Sequence, residues 1–343
     1  MTGVVIMNPL VLLLLGFAFI ALGLVLFWPG RGSYWKWRRY QRLGERGIIE
    51  DALKHMHQLE FEGRRANVDT ISGALQVTRN RAAKLVESLE HLGLSETDAD
   101  GCRLSADGQG EALRIVRVHR LLEQYLAEQT GWDETDWHEQ ADQQEHFLSA
   151  DEVDQLAEQM GYPRYDPHGD PIPTAEGEIP QAQGVPLNSL SSANHVVVVH
   201  VEDEPDAIYA QLVALGISVG SRLRIIEATP QRIRIAVDGV EHILAPVVAA
   251  NLTVVELPKD QAPQVAARRL SDLAIGESAE VVDIAPACRG VQRRRLLDLG
   301  VVPGTVIQAE LESLSGDPTA YSIRGATIAL RRRQADWILV TPS

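Results

Sequence analysis

His138-Glu-Gln-Ala-Asp142-Gln-Gln-Glu145-His146 decides how this chain is to be read. On a helix turning about 100° per residue, His138, Asp142, Glu145 and His146 leave one face, which is a metal-ligand spacing. One helix earlier, His119 and Glu123 repeat the pattern four residues apart and can meet the first set across a helix-helix contact. Imidazole and carboxylate donors without thiolate suit Fe(II), Mn(II), Co(II), Ni(II) or Zn(II) better than a soft ion. The bland alternative is a solvated acidic helix face; six donors at helical spacing on two neighbouring helices favour the metal.

The flanks supply a scaffold. A long amphipathic helix is expected from about Asp107 to Gln129, closed by Gly131, with the ligand helix starting near Asp133. Ser149-Ala-Asp-Glu152 reads as a capping box for one more helix, Asp151 to Gln159. Leu121, Leu122, Leu126, Phe147, Leu148, Val153 and Leu156 give these helices more apolar surface than one small domain needs, so a homodimer is expected. On the N-terminal side, Ile49, Leu53, Met56 and Leu59 recur with helical period up to Gly63. Asp69 is expected to cap a short second helix and Thr78 a third, and the turn Leu75-Gln-Val-Thr78 has helix-turn-helix length. The third helix opens with Thr78, Arg79, Asn80, Arg81 and Lys84, the end that a recognition helix offers to bases and phosphates. Surface cations on an ordinary three-helix core are the alternative. Ser95 to Arg103 looks like an acidic wing.

A formal net charge of -15 over 343 residues argues against an overall nucleic-acid binder, so any basic patch is local. Two cysteines, Cys102 and Cys288, exclude a disulfide framework and a cysteine zinc knuckle. Val4 to Trp28 is almost unbroken apolar sequence, followed by Arg31, Lys36, Arg38, Arg39, Arg42 and Arg46 among Tyr34, Trp35, Trp37 and Tyr40. This predicts a transmembrane helix with a stop-transfer flank and aromatic belt, placing the chain in the cytoplasmic membrane as a single-pass protein, N-terminus outside and bulk in the cytoplasm.

Beyond Tyr162 the chain is rich in Pro, Gly, Asp and Glu, a linker. An internal repeat follows: Leu212-Val-Ala-Leu-Gly216-Ile-Ser-Val-Gly220 matches Leu296-Leu-Asp-Leu-Gly300-Val-Val-Pro-Gly304, each ahead of alternating strands. Two small five- or six-stranded barrels are expected, each with a short helix before its Leu-Gly element.

Val118-His-Arg-Leu-Leu-Glu123, the quoted ligand stretch with Leu148-Ser149, and Asp166-Pro-His-Gly-Asp-Pro-Ile-Pro173 together resemble the diphtheria-toxin-repressor and manganese-transport-regulator family. The second barrel, with Arg294 to Thr305, Gly316-Asp-Pro318 and Ile328 to Arg332, resembles the FeoA domain of ferrous-iron transport, and the first barrel is similar but lacks the Gly-Asp-Pro turn. The first resemblance implies a winged helix-turn-helix and a helical metal-binding and dimerisation domain, active on double-stranded operator DNA as a homodimer loaded with Fe2+ or Mn2+. It also implies Asp51, Asp142, Glu145 and His146 as primary-site ligands and His119, Glu123 and His138 as an ancillary site. Lys54 stands where the manganese branch has a second first-helix carboxylate.

The expected fold class is α+β multidomain: transmembrane helix 4–28, basic segment 29–47, winged helix-turn-helix 48–106, helical domain 107–173, linker 174–185, and SH3-like barrels 186–258 and 268–343. No nucleophile is placed with a base and no phosphate loop is present, so no enzyme is expected. The functional expectation is a membrane-tethered, metal-dependent repressor of metal-uptake genes. The alternative is a membrane-attached iron sensor that contacts a ferrous-iron transporter through its FeoA-like domains and binds no DNA.

Overall fold

The computed structural model describes residues 44–181, 183–191, 194–258 and 267–342, which form two compact units meeting in sequence at Ile115/Val116. In the first unit, helix α1 (Glu45–Phe61) precedes α2 (Val68–Ala74) and α3 (Arg79–His91), and a hairpin of β1 (Ser95–Asp98) and β2 (Gly101–Leu104) follows. Leu53, Met56, Ile71, Ala82 and Leu89 fill its core. The second helix is capped by Asn67 rather than Asp69: the Asn67 side chain accepts from the Asp69 and Thr70 N–H groups, and the Thr70 hydroxyl oxygen accepts from the Asn67 N–H. Asp69 sits two residues too late for that geometry and instead pairs with Arg79 at 3.2 Å. Thr78 does cap α3, accepting from Arg81 N–H. Thr78, Arg79, Asn80, Arg81 and Lys84 are all exposed while Ala82, Leu85, Val86 and Leu89 turn inward.

Helix α4 (Ala106–Gln129) leads into the second unit, where α5 (Trp137–Gln144) and α6 (Ala150–Gln159) pack on it around Leu121, Leu126, Trp137, Ala141 and Val153. Ser149 and Glu152 form the capping box of α6. The ligand stretch is not one helix. A 3-10 turn over Glu134–Asp136 precedes α5, and α5 stops at Gln144, with Glu145–Phe147 in a second 3-10 turn. The tighter winding swings Glu145 and His146 away from the straight line through His138 and Asp142. The segment after Tyr162 is also less of a linker than its composition suggests: Asp166 and His168 are buried, held by bonds to α4.

Two six-stranded barrels follow, of one topology. The first runs β3 (Val185–Pro186), β4 (His195–Val201), α7 (Asp206–Ala214), β5 (Arg222–Ala228), β6 (Ile233–Val237), β7 (Val240–Leu244), α8 (Pro246–Ala249) and β8 (Leu252–Glu256). The second runs β9 (Arg268–Arg269), β10 (Ser278–Ile284), α9 (Gly290–Asp298), β11 (Val306–Glu312), β12 (Thr319–Ile323), β13 (Ala326–Leu330), α10 (Arg332–Asp336) and β14 (Ile338–Pro342). Alternation of inward Val, Ile and Leu with outward polar residues builds a separate core in each.

The fold class needs one correction. Among the described residues no helix is long and apolar enough to cross a membrane. The longest, α4, carries Asp107, Glu111, Arg114, Arg117, Arg120, Glu123 and Glu128 along its length. The span expected at Val4–Trp28, and the basic segment up to residue 43, lie outside the described residues. The described residues therefore form an α+β fold without a membrane-crossing helix, and the single-pass membrane placement with its outward N-terminus is withdrawn.

Candidate metal centre

Helix α4 presents His119 and Glu123 one turn apart on its buried face, and α5 brings His138 and Asp142 up against them. His119 Nε2 lies 3.0 Å from Glu123 Oε1 and 3.3 Å from His138 Nδ1, which is itself 3.1 Å from the same Glu123 oxygen. A cation held at about 2.1 Å spaces its ligands by about 3.0 Å in an octahedron and about 3.4 Å in a tetrahedron. Two imidazole nitrogens and a carboxylate oxygen at these separations match donors that face one point. Asp142 approaches the other nitrogen of each ring, 3.3 Å from His119 Nδ1 and 3.7 Å from His138 Nε2.

A second group shares Glu123. The 165–172 loop is tied to α4 by Arg120, which donates to Pro171 O at 2.6 Å, and by Arg117, which donates to Pro173 O at 2.9 Å. Inside the loop, Asp166 accepts from the His168 and Asp170 N–H groups, and this turn delivers the His168 ring to the core. His168 is 2% exposed, and its Nε2 has no hydrogen-bond partner among the described residues; it points toward Glu123 Oε1 at 3.9 Å. The ring is wedged between Trp137 and Tyr209, with centroids 6.1 and 5.1 Å away. Gly169 is required beside it: at φ +93 its Cβ would stand 2.1 Å from Val199 O. The first barrel closes the group. Between β4 and α7, Asp203 Oδ2 reaches His138 Nδ1 at 3.0 Å, so Glu123, His168 and Asp203 offer one donor each within 4.8 Å, as do His119, His138 and Asp142.

The electrostatics are those of a site in which protons hold carboxylates together. Burial opposes charge on Glu123, yet His119, His138 and His168 outweigh it and keep its carboxyl well below the usual range. Burial likewise pulls the His138 imidazolium down, but hydrogen bonds to Asp203 and Glu123 and the charge of Asp142 push it up to about 11. Asp203 is lowered by His138 in spite of burial. Asp166 goes the other way: burial and the neighbouring Asp170 and Glu123 raise it well above a normal aspartate, with Arg120 opposing. The donor set fits a divalent transition cation, whose charge replaces that of the shared protons.

Of the residues singled out by spacing, His119, Glu123, His138 and Asp142 come together, and buried Glu145 reaches them through His119 Nδ1 at 2.6 Å. His146 lies beside Glu145, Nε2 to Oε1 3.8 Å. Asp51 is half-buried on α1 in the first unit. In this arrangement Asp142 sides with His119 and His138. His168 and Asp203 were missed, since both stand on loops, where helical period carries no signal; the Glu202-Asp-Glu204 run ahead of Pro205 was the trace of the second.

An exposed-cation helix-turn-helix followed by a buried imidazole-carboxylate cluster defines a class, that of metal-responsive winged-helix regulators. Residues 105–174 match the family described as iron dependent repressor, metal binding and dimerisation domain, and residues 185–256 and 268–342 each match the FeoA domain. The chain thus carries a metal binding and dimerisation domain of the iron dependent repressor type and two FeoA domains, and the relatives it resembles are metal-dependent repressors, a non-enzymatic class. The iron-dependent repressor IdeR of Mycobacterium leprae is 27% identical over 220 residues, covering 60% of this chain and 94% of the relative. Among solved structures, a manganese-dependent transcriptional repressor in complex with manganese superposes with a TM-score of 0.55 at 26% identity, over 60% of this chain and all of that one. IdeR of T. acidophilum does so with a TM-score of 0.51 at 27% identity, over 61% and 97%.

Proposed function

We propose that this chain is a metal-dependent DNA-binding transcriptional regulator, a homodimeric repressor of metal-uptake genes that responds to Fe(II) or Mn(II). The observation that carries the reading is the convergence of His119, Glu123, His138, Asp142, His168 and Asp203 in a chain that also bears an exposed cationic α3. His119, Glu123 and His138 are assigned to one cation, with His168 and Asp203 completing their surroundings. Glu145, His146 and Asp51 are assigned to a second, to which Asp142 also belongs in the family's pattern. The usual divalent ions share these donors, and supply in the cell selects among them.

A bound cation supplies the positive charge that lets these carboxylates occupy one small volume. The residues do the rest. Arg117 and Arg120 hold the His168 loop on α4, Asp203 orients His138, and α3 offers Thr78, Arg79, Asn80, Arg81 and Lys84 to double-stranded operator DNA. The switch is linkage: a cation that binds the DNA-competent arrangement more tightly shifts the population toward it, and moving from 1:99 to 99:1 takes about 5.5 kcal/mol of differential affinity.

The test is a gel shift of the full-length protein on its own upstream DNA with Fe(II), Mn(II) or no cation, beside Asp142→Ala and His146→Ala. Retardation that requires a cation and is lost in both variants is expected. Absence of a shift under every cation, with calorimetry still detecting metal binding, would overturn the DNA role and leave the transporter-accessory alternative.

A further inference from the structure

Among the described residues the second barrel contributes no donor to the metal centre, yet it grips the segment that joins the two ligand-bearing helices. Helix α4 ends with carbonyls that have no partner within the helix. Thr130 Oγ1 donates to Leu126 O, and Arg294 of α9 donates to Glu128 O at 2.9 Å, placing a guanidinium at the negative end of the helix dipole. Gly290, at the start of α9, lies so close that a Cβ there would stand 2.5 Å from Ala127 O and 2.9 Å from Glu128 O. Arg333 of α10 reaches Asp133 at 2.8 Å, immediately before the 3-10 turn that leads to His138. Tyr209 of the first barrel donates to Glu134 Oε1 in the same turn.

The second barrel also touches the first. Gly216 would bring a Cβ 3.3 Å from Arg269 Nη2, Gly220 one 3.4 Å from Pro286, and Gly239 one 2.3 Å from Ala267 O. It thus rests on the C-terminal end of α4, which carries His119 and Glu123, and on the barrel that carries Asp203. A barrel attached only through its own linker would sample positions in which Asp203 is far from His138, and apparent affinity falls in proportion to the competent fraction.

We propose that the second FeoA-like barrel is a brace that preorganises the cation site, with Arg294 and Arg333 as positioning residues that act through α4 and the Asp133–His138 turn. The proposal rests on the metal reading above and adds to it the reason for a second copy.

The experiment is Mn(II) titration of the full chain by calorimetry and by electron paramagnetic resonance of free Mn(II). The variants are Arg294→Ala/Arg333→Ala, Arg294→Lys, Asp203→Asn, and the double-alanine change combined with Asp203→Asn. A weakening of about tenfold in the double-alanine variant is expected, as for a competent fraction reduced to about a tenth. Arg294→Lys should keep most of the affinity, and the double-alanine effect should vanish in the Asp203→Asn background, where barrel position no longer matters. Unchanged affinity in the double-alanine variant, with Asp203→Asn still weakened, overturns the brace and leaves the metal reading intact. An equal loss with and without Asp203 overturns it too, since the arginines would then act on stability alone. If Asp203→Asn binds Mn(II) like the unaltered chain, this site's metal reading falls and the brace with it.

Discussion

The two barrels share a topology and differ most where the fourth and tenth strands hand over to their helices. In the first, Glu202-Asp-Glu-Pro205 puts Asp203 against His138; in the second, Ala285-Pro-Ala-Cys-Arg289 leads into α9, which sets Gly290 and Arg294 against the end of α4. One loop supplies negative charge to a cluster of imidazoles. Its counterpart opens a helix that supplies positive charge, from Arg294, and a missing side chain, at Gly290, to a row of carbonyls. A repeated fold can therefore be directed to opposite electrostatic tasks by this connection and the exposed face of the helix after it, because the barrel core is built from strand alternation and places no demand on them.

The harshest way to break the comparison is to give the first loop the charge of the second. Asp203→Lys sets an ammonium against His138 and removes a donor, and Mn(II) affinity should fall by a hundredfold or more, about 2.7 kcal/mol, measured by calorimetry. The reverse test is steric. Gly290→Val must push a side chain into Ala127 O from a backbone at φ +53, and thermal or urea unfolding should show a loss of about 2 kcal/mol. Gly220→Ala, whose Cβ would meet Pro286 at an ordinary 3.4 Å, should lose only the smaller cost of its positive φ, about 1 kcal/mol. The mildest probe is pH. Burial lowers the His138 pKa, but Asp203, Glu123 and Asp142 push it up to about 11, so the ring is protonated throughout pH 6–8 and the cation must displace that proton. Affinity should rise with pH by about tenfold per unit for each proton displaced. Removing Asp203 should flatten the slope, while Arg294→Ala leaves it unchanged.

How much of this was legible in the sequence depends on whether a residue acts through a local rule. The Thr78 cap, the Ser149 capping box and the His119/Glu123 pair obey spacings of three or four residues, and each has the geometry expected of it. The repeated Leu-Gly element is equally local: Gly216 and Gly300 follow their helices at φ +75 and +87. Spacing failed where winding changed. His138, Asp142, Glu145 and His146 were laid on one uniform helix, but α5 ends at Gln144 and the 3-10 turn redistributes them. It also failed for Asn67, whose side chain captured the cap expected of Asp69 because it holds the N-cap position, two residues before Asp69. His168 and Asp203 depend on a loop held by Arg120 and on a barrel some 35 residues further on, and no local period reports contacts of that range. The apolar N-terminal run, the most conspicuous feature by composition, lies outside the described residues.

Trp137 gives the metal centre an optical handle. Its indole is 5% exposed, fixed by a bond from Nε1 to Trp132 O, and stacked obliquely 6.1 Å from the His168 ring. An emitter so rigidly seated beside the donors lies within quenching range of a paramagnetic ion such as Mn(II), so occupancy can be followed in unlabelled protein by the loss of tryptophan fluorescence. Zn(II), which has no unpaired electrons, separates quenching from rearrangement in the same cuvette.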